Sequence, residues 1–225
     1  MNPIENAARS LSRAGRWFDA MSLLDAFPND SNLNLMRAEV AVDHDFWTGG
    51  NAADQRLAVL ADGSWDASFL RLRVAYTSQM RRLLAGGEPE TDALAEQVTA
   101  MLALAPTEEA RAHAHLYLGL IHDVLGDDRA KAEPHYRDAL ETTDDYIAGY
   151  ALRHLGALAD DIGDHTVAVA YWKESLAKRQ ACGHLTGSLA QLLLLRDDVS
   201  LTETVGDWAE QLHLRVLAAQ AKESI

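Results

Sequence analysis

Three stretches of the chain share one spacing of glycine, alanine and a large apolar residue, and that spacing restricts the fold more than any other feature. In GDHTVAVAYWKESL, Ala168 follows Gly163 after five residues, and Trp172 and Leu176 follow at intervals of four. In GRWFDAMSLLDAF, Ala20 stands five residues after Gly15 and Leu24 nine after it. GDDRAKAEPHYRDAL keeps the order with Gly126, Ala132, Tyr136 and Leu140, stretched by one residue. The unit also extends upstream, where Ala7-Ala8, Leu118-Gly119 and Leu155-Gly156 stand eight and seven residues before the three glycines.

A helical period explains both halves of the unit. Ile4, Ala7, Ala8 and Leu11 share one face of a helix, as do His115, Leu118, Gly119 and His122, and Leu152, Leu155, Gly156 and Ala159. Ala168, Trp172 and Leu176 make one face of a second helix. The glycine between them suits a left-handed cap that ends the first helix. Asp127-Asp128 and Asp164 suit the start of the next. Each unit therefore reads as a helix–turn–helix hairpin. Gly119, Gly156, Ala132 and Ala168 are the positions of close approach between its two helices.

This pattern resembles the tetratricopeptide repeat, a helical hairpin of 34 residues with small and aromatic residues at these spacings. The match is good over residues 112–182 and fair over 3–28. Leu155 follows Leu118 by 37 residues, so the array is irregular, and Pro134 with the extra residue before Ala132 predicts a bend in one second helix. The remaining periodicity predicts helices over 32–43, 51–61, 65–86, 90–104, 184–196 and 200–222, with DHDFWTGG as a long turn. The last helix would be a cap with Trp208, Leu212 and Val216 on one face. The resemblance implies an all-α, right-handed solenoid of about six antiparallel hairpins over residues 1–225, closed by a hairpin and cap over 183–225. An alternative domain break lies at Gly86-Gly87.

Composition narrows the function. The net charge is −14 and no run is basic, which argues against nucleic acid and anionic membrane surfaces as partners. A single cysteine, Cys182, excludes a disulfide framework within the chain. MNPIENAARS has no apolar leader segment, and no apolar run reaches the length of a membrane span, so a cytoplasmic protein is expected. Arg outnumbers Lys, a weak hint of a GC-rich bacterial source.

Signatures of catalysis are few. His113, His115, His122 and Asp123 form the densest titratable group, but His115 and His122 fall on the inward stripe. There is no HExxH, no zinc-spaced Cys/His quartet, no phosphate-binding glycine loop and no GxSxG. The expectation is no catalytic residue, no metal and no cofactor. Phe46 and Trp47 would form an outer contact in the long turn.

A second stripe runs along each first helix. It holds Asn2, Glu5, Arg9 and Ser12; His113, Leu116, Leu120 and Asp123; Tyr150, Arg153, Ala157 and Asp160; and, by continuing the phase, His184 and Gln191. In tetratricopeptide solenoids this face lines the concave groove. The resemblance thus implies a binding groove of His113, Leu116, Leu120, Asp123, Tyr150, Arg153, Asp160, His184 and Gln191, with the leucines as its apolar floor. The Lys and Asn clamp with which chaperone-binding members hold a carboxylate is missing. The reading is a non-catalytic adaptor or scaffold for a protein or peptide segment of mixed charge. A ligand- or peptide-sensing regulator is the alternative, an enzyme or small-molecule binder built on His113, Asp123, Arg153 and His184 is a third, and a homodimer is left open.

Overall fold

The computed structural model of the chain describes residues 2–195 and 199–222. Thirteen α-helices and no strand occur among these residues. The chain divides into two compact units, residues 71–181 and a discontinuous unit of 1–70 with 182–225. The boundaries fall at Leu70, inside a helix, and at Ala181, not at Gly86-Gly87.

The discontinuous unit holds α1 (Pro3–Arg13), α2 (Trp17–Asp25), α3 (Asn34–Thr48), α4 (Ala53–Leu57), the start of α5 (Trp65–Leu84), α11 (Leu185–Leu192), α12 (Val199–Gln211) and α13 (Arg215–Lys222). Both ends of the chain share its core. Ala8, Trp17, Ala20, Leu24 and Val40 pack with Leu189, Val205, Ala209, Leu214 and Leu217. Gly15 supplies the left-handed turn between α1 and α2, with φ 77°. Arg37 is buried and donates to the carbonyls of Leu24 and Phe27, which satisfies the end of α2.

Two expectations fail in this unit. DHDFWTGG is not a turn, because α3 runs through it to Thr48. Its turn-forming residues have other duties. Asp45 accepts from the amides of Ala52 and Ala53 and so caps α4, and the helix ends at Gly49, at φ 76°. Residues 200–222 are not one helix either. They form the hairpin α12–α13, broken at His213 with φ 58°. Histidine stands there in place of the turn glycine. Val205-Gly206 precede it by eight and seven residues and Ala218 follows by five, so a further copy of the repeat spacing lies here. Trp208 is 50% exposed and does not serve the core, while Leu212 packs against it. The side chain of Val216 lies outside the described residues.

The continuous unit holds the rest of α5, α6 (Thr91–Ala103), α7 (Glu108–Leu120), α8 (Arg129–Ala139), α9 (Asp145–Asp161) and α10 (His165–Ala181). From α6 onward each helix packs on the next, and α7 also packs on α9. Stacked hairpins give this contact pattern. Side-chain oxygens of Thr107, Asp128, Asp144 and Asp164 accept backbone amides at the starts of α7, α8, α9 and α10. Gly163 has φ 85°. A Cβ on Gly119 would sit 2.5 Å from Cε1 of Tyr136, and one on Gly156 would overlap Cδ1 of Trp172. Ala132 and Ala168 are fully buried. The close-approach positions are as the spacing predicts.

The extra residue before Ala132 is absorbed ahead of α8. Residues Ile121–Leu125 form a π-helical turn, with the amide of Gly126 bonded to the carbonyl of Ile121 at 3.0 Å. The left-handed residue shifts from Gly126, at φ −103°, to Asp127 at φ 47°. Asp tolerates that conformation better than most residues. Pro134 lies inside α8, which continues to Ala139.

Candidate functional site

The π-helical turn aims Asp123 at two partners within the continuous unit. Tyr136 on α8 donates its hydroxyl to Asp123 Oδ2 at 2.9 Å. His154 on α9 places Nδ1 3.1 Å from the same oxygen. The two rings stack on each other, 5.0 Å between centroids at 19°. Tyr136 is 0% exposed and the His154 side chain 18%. Gly119 leaves the space in which the Tyr136 ring lies.

Burial alone would raise the Asp123 carboxyl, but the hydrogen bond and charge of His154 and the hydrogen bond of Tyr136 outweigh it and hold it below the usual range. Burial also lowers His154, against the pull of Asp123 and with the help of Arg153 and Arg179. The carboxylate is then an acceptor only, so Nδ1 of neutral His154 carries its proton and Nε2 keeps a lone pair. Tyr76 is buried nearby, and its phenol is pushed up by burial and by the neighbouring Tyr117 and Asp123. Tyr76 meets Tyr117 edge-on, and Arg73 Nε donates to the Tyr117 hydroxyl at 3.2 Å.

One turn away, α9 and α10 hold two arginines around an aromatic ring. The Arg179 guanidinium lies 4.3 Å over the ring of Tyr150. Its Nε donates to Ser175 Oγ, and Ser175 donates to the carbonyl of Gly149. A side chain at Gly149 would meet Arg179 Cγ at 2.9 Å. Arg179 is only 1% exposed. Burial and the charge of Arg179 push Arg153 down to about 10, with Tyr150 acting the other way. Arg153 therefore stays cationic at neutral pH.

A separate histidine group lies between α7 and α8. His115 Nδ1 is 3.1 Å from His135 Nδ1 and 3.4 Å from Asp138 Oδ2. His122 also stacks on His135, 5.9 Å between centroids at 11°. Burial lowers all three histidines.

The predicted groove residues are dispersed more than the spacing suggests. His113 is half-buried on α7. Asp123, Tyr150 and Arg153 belong to the polar groups just described, and Asp160 pairs with His165 near the surface at 2.9 Å. Leu116 and Leu120 are buried and form no open floor, because the polar face of α7 is narrower than the stripe assumed. His184 and Gln191 are buried in the discontinuous unit, His184 edge-on to Trp47. On α1 the stripe is covered by α3, with Arg9 paired to Glu39 and Ser12 bonded to Asp43. Phe46 and Trp47 are half-buried on the last turn of α3, and Trp47 packs on the core, so neither is an outer turn contact. His154, Tyr136, Arg179 and His135 were absent from the sequence-predicted set. The clue for His154 is its place four residues after Tyr150, and for Arg179 its place seven after Trp172.

The shifts of the histidines and of Asp123 act in one direction with pH. His115, His122, His135 and His154 are lowered in the fold, so the unfolded chain binds more protons as pH falls below about 6.5. Their stabilising effect is complete above that value and is lost as pH falls toward the folded values. Asp123 adds a further loss at lower pH. Urea midpoints should fall steadily from pH 7.5 to 5.5. A flat profile would contradict these assignments.

No protein-family model, no curated protein and no solved structure matches the chain. Among the described residues, no helix is long and apolar enough to cross a membrane.

Proposed function

We propose that the protein is a tetratricopeptide-like helical-repeat module that binds a protein or peptide segment of mixed charge without catalysis, through the polar face of α7 and α9. The observation that carries this reading is the arrangement of Tyr150, Arg153 and Arg179. The Tyr150 ring on α9 is fixed from beneath by the buried Arg179 guanidinium of α10, and Arg153 lies close enough on α9 for its charge to be felt by both. Tyr and Arg are the residues on which binding energy concentrates. Ordering them in the free protein lowers the entropy lost on association. Arg153 would bond a carboxylate or main-chain carbonyl of the segment. Asp123 and Asp160 favour basic residues beside it. Removing Tyr150 and Arg153 together, in a protein shown to remain folded, tests the reading against a partner captured from native lysate.

The Asp123–His154 pair favours a second reading. A neutral imidazole oriented by a carboxylate, with Nε2 as its acceptor, is the arrangement of a general base. A small-molecule site would then occupy the same face. Loss of turnover with unchanged ligand affinity in His154→Gln would select this reading over the first.

A further inference from the structure

We propose that His115, His135 and Asp138 form a three-ligand site for a divalent transition metal, with zinc as its simplest occupant. This departs from the expectation of no metal, which rested on sequence spacing alone. His135 and Asp138 are three residues apart on α8 and so share a face. His115 reaches that face from α7. One donor atom from each of the three residues lies within 4.8 Å of the other two.

The spacing of the nitrogens is the central observation. Two ring nitrogens face each other at 3.1 Å, and a carboxylate oxygen lies 3.4 Å from one of them. Two nitrogens bound to one zinc at about 2.0–2.1 Å lie roughly 3.3 Å apart in a tetrahedral site. Such a pair of imidazoles needs either a shared proton or a metal between them. With both rings as their Nε2–H tautomers, each Nδ1 presents a lone pair to the space between them. The carboxylate of Asp138 supplies negative charge, and its side chain is 51% exposed, which leaves a path from solvent. His122 stacks on the His135 ring and limits its rotation. Two histidines and one carboxylate leave at least one coordination position for water or a ligand group.

The test uses tag-free, chelator-treated full-length protein, titrated with zinc chloride by calorimetry and with cobalt(II) by visible absorption. The expected result is one equivalent of zinc, with ligand-field bands for cobalt of a low-symmetry nitrogen and oxygen site. Affinity should fall more than about tenfold in Asp138→Asn and be lost in His135→Gln. His165→Gln, which alters a different histidine–carboxylate pair, should bind as the wild type does. Asp138 is half-exposed, so its variant decides the matter even where His135→Gln fails to fold. Absence of saturable one-equivalent binding would overturn the proposal, as would affinity unchanged in Asp138→Asn.

Discussion

Asp123→Ala is expected to destabilise the continuous unit by roughly 2–4 kcal/mol, because each buried donor left without its acceptor costs about 1–3 kcal/mol. Asp123 accepts from both Tyr136 and His154. Tyr136 is fully buried, so its hydroxyl finds no water in exchange. His154 retains some exposure and recovers part of its loss. Relief of the buried charge offsets some of the total, which keeps the figure below the sum of two full penalties. Asp123→Asn keeps one acceptor oxygen and should lose less. Urea unfolding followed by amide exchange in α7–α9 measures both. A loss of less than about 0.5 kcal/mol in the alanine variant, the range of an ordinary surface substitution, would show that the pair of hydrogen bonds is not formed in solution.

Ala168→Leu should cost roughly 1–3 kcal/mol by overpacking. Ala168 is fully buried on α10, the helix whose Trp172 ring fills the space above Gly156 of α9. Three added carbons must push α10 away from α9. That movement also strains the bond from Trp172 Nε1 to the Arg153 carbonyl, 3.1 Å long. Gly156→Ala tests the same contact from the other side, since its Cβ would overlap the indole. Ala170 lies two residues beyond Ala168 and is exposed, so Ala170→Leu should change stability by less than about 0.5 kcal/mol. Equal melting temperatures for Ala168→Leu and the wild type would mean that the hairpin is phased differently.

The hairpins were legible because their signal is steric. A turn glycine and two small residues at fixed distances admit few alternatives, and Gly15, Gly119, Gly156, Ala168 and Gly163 all occupy the places their spacing implies. Legibility failed where a different residue did the glycine's work. His213 takes the left-handed turn of α12–α13, and Asp127 takes that of α7–α8. It failed again at α3, where Asp45 suggests a turn but caps a neighbouring helix through its side chain. The site was only partly legible. Asp123, Tyr150 and Arg153 share a first-helix stripe, yet the groups that organise them, Tyr136 and Arg179, lie on second helices. The π-helical turn rotates Asp123 toward Tyr136, and a constant helical period does not contain that rotation. His184 and Gln191 continue the stripe in phase but are buried in the other unit.

Binding through the face of α7 and α9 is tested most directly by the affinity of the double variant Tyr150→Ala with Arg153→Ala for the captured segment. Circular dichroism must first show the helical content of the wild type. Each truncated hot-spot residue costs about 2 kcal/mol or more, so the pair should weaken binding by roughly several hundred-fold. Wild-type affinity in the folded double variant would place the binding site elsewhere on the molecule.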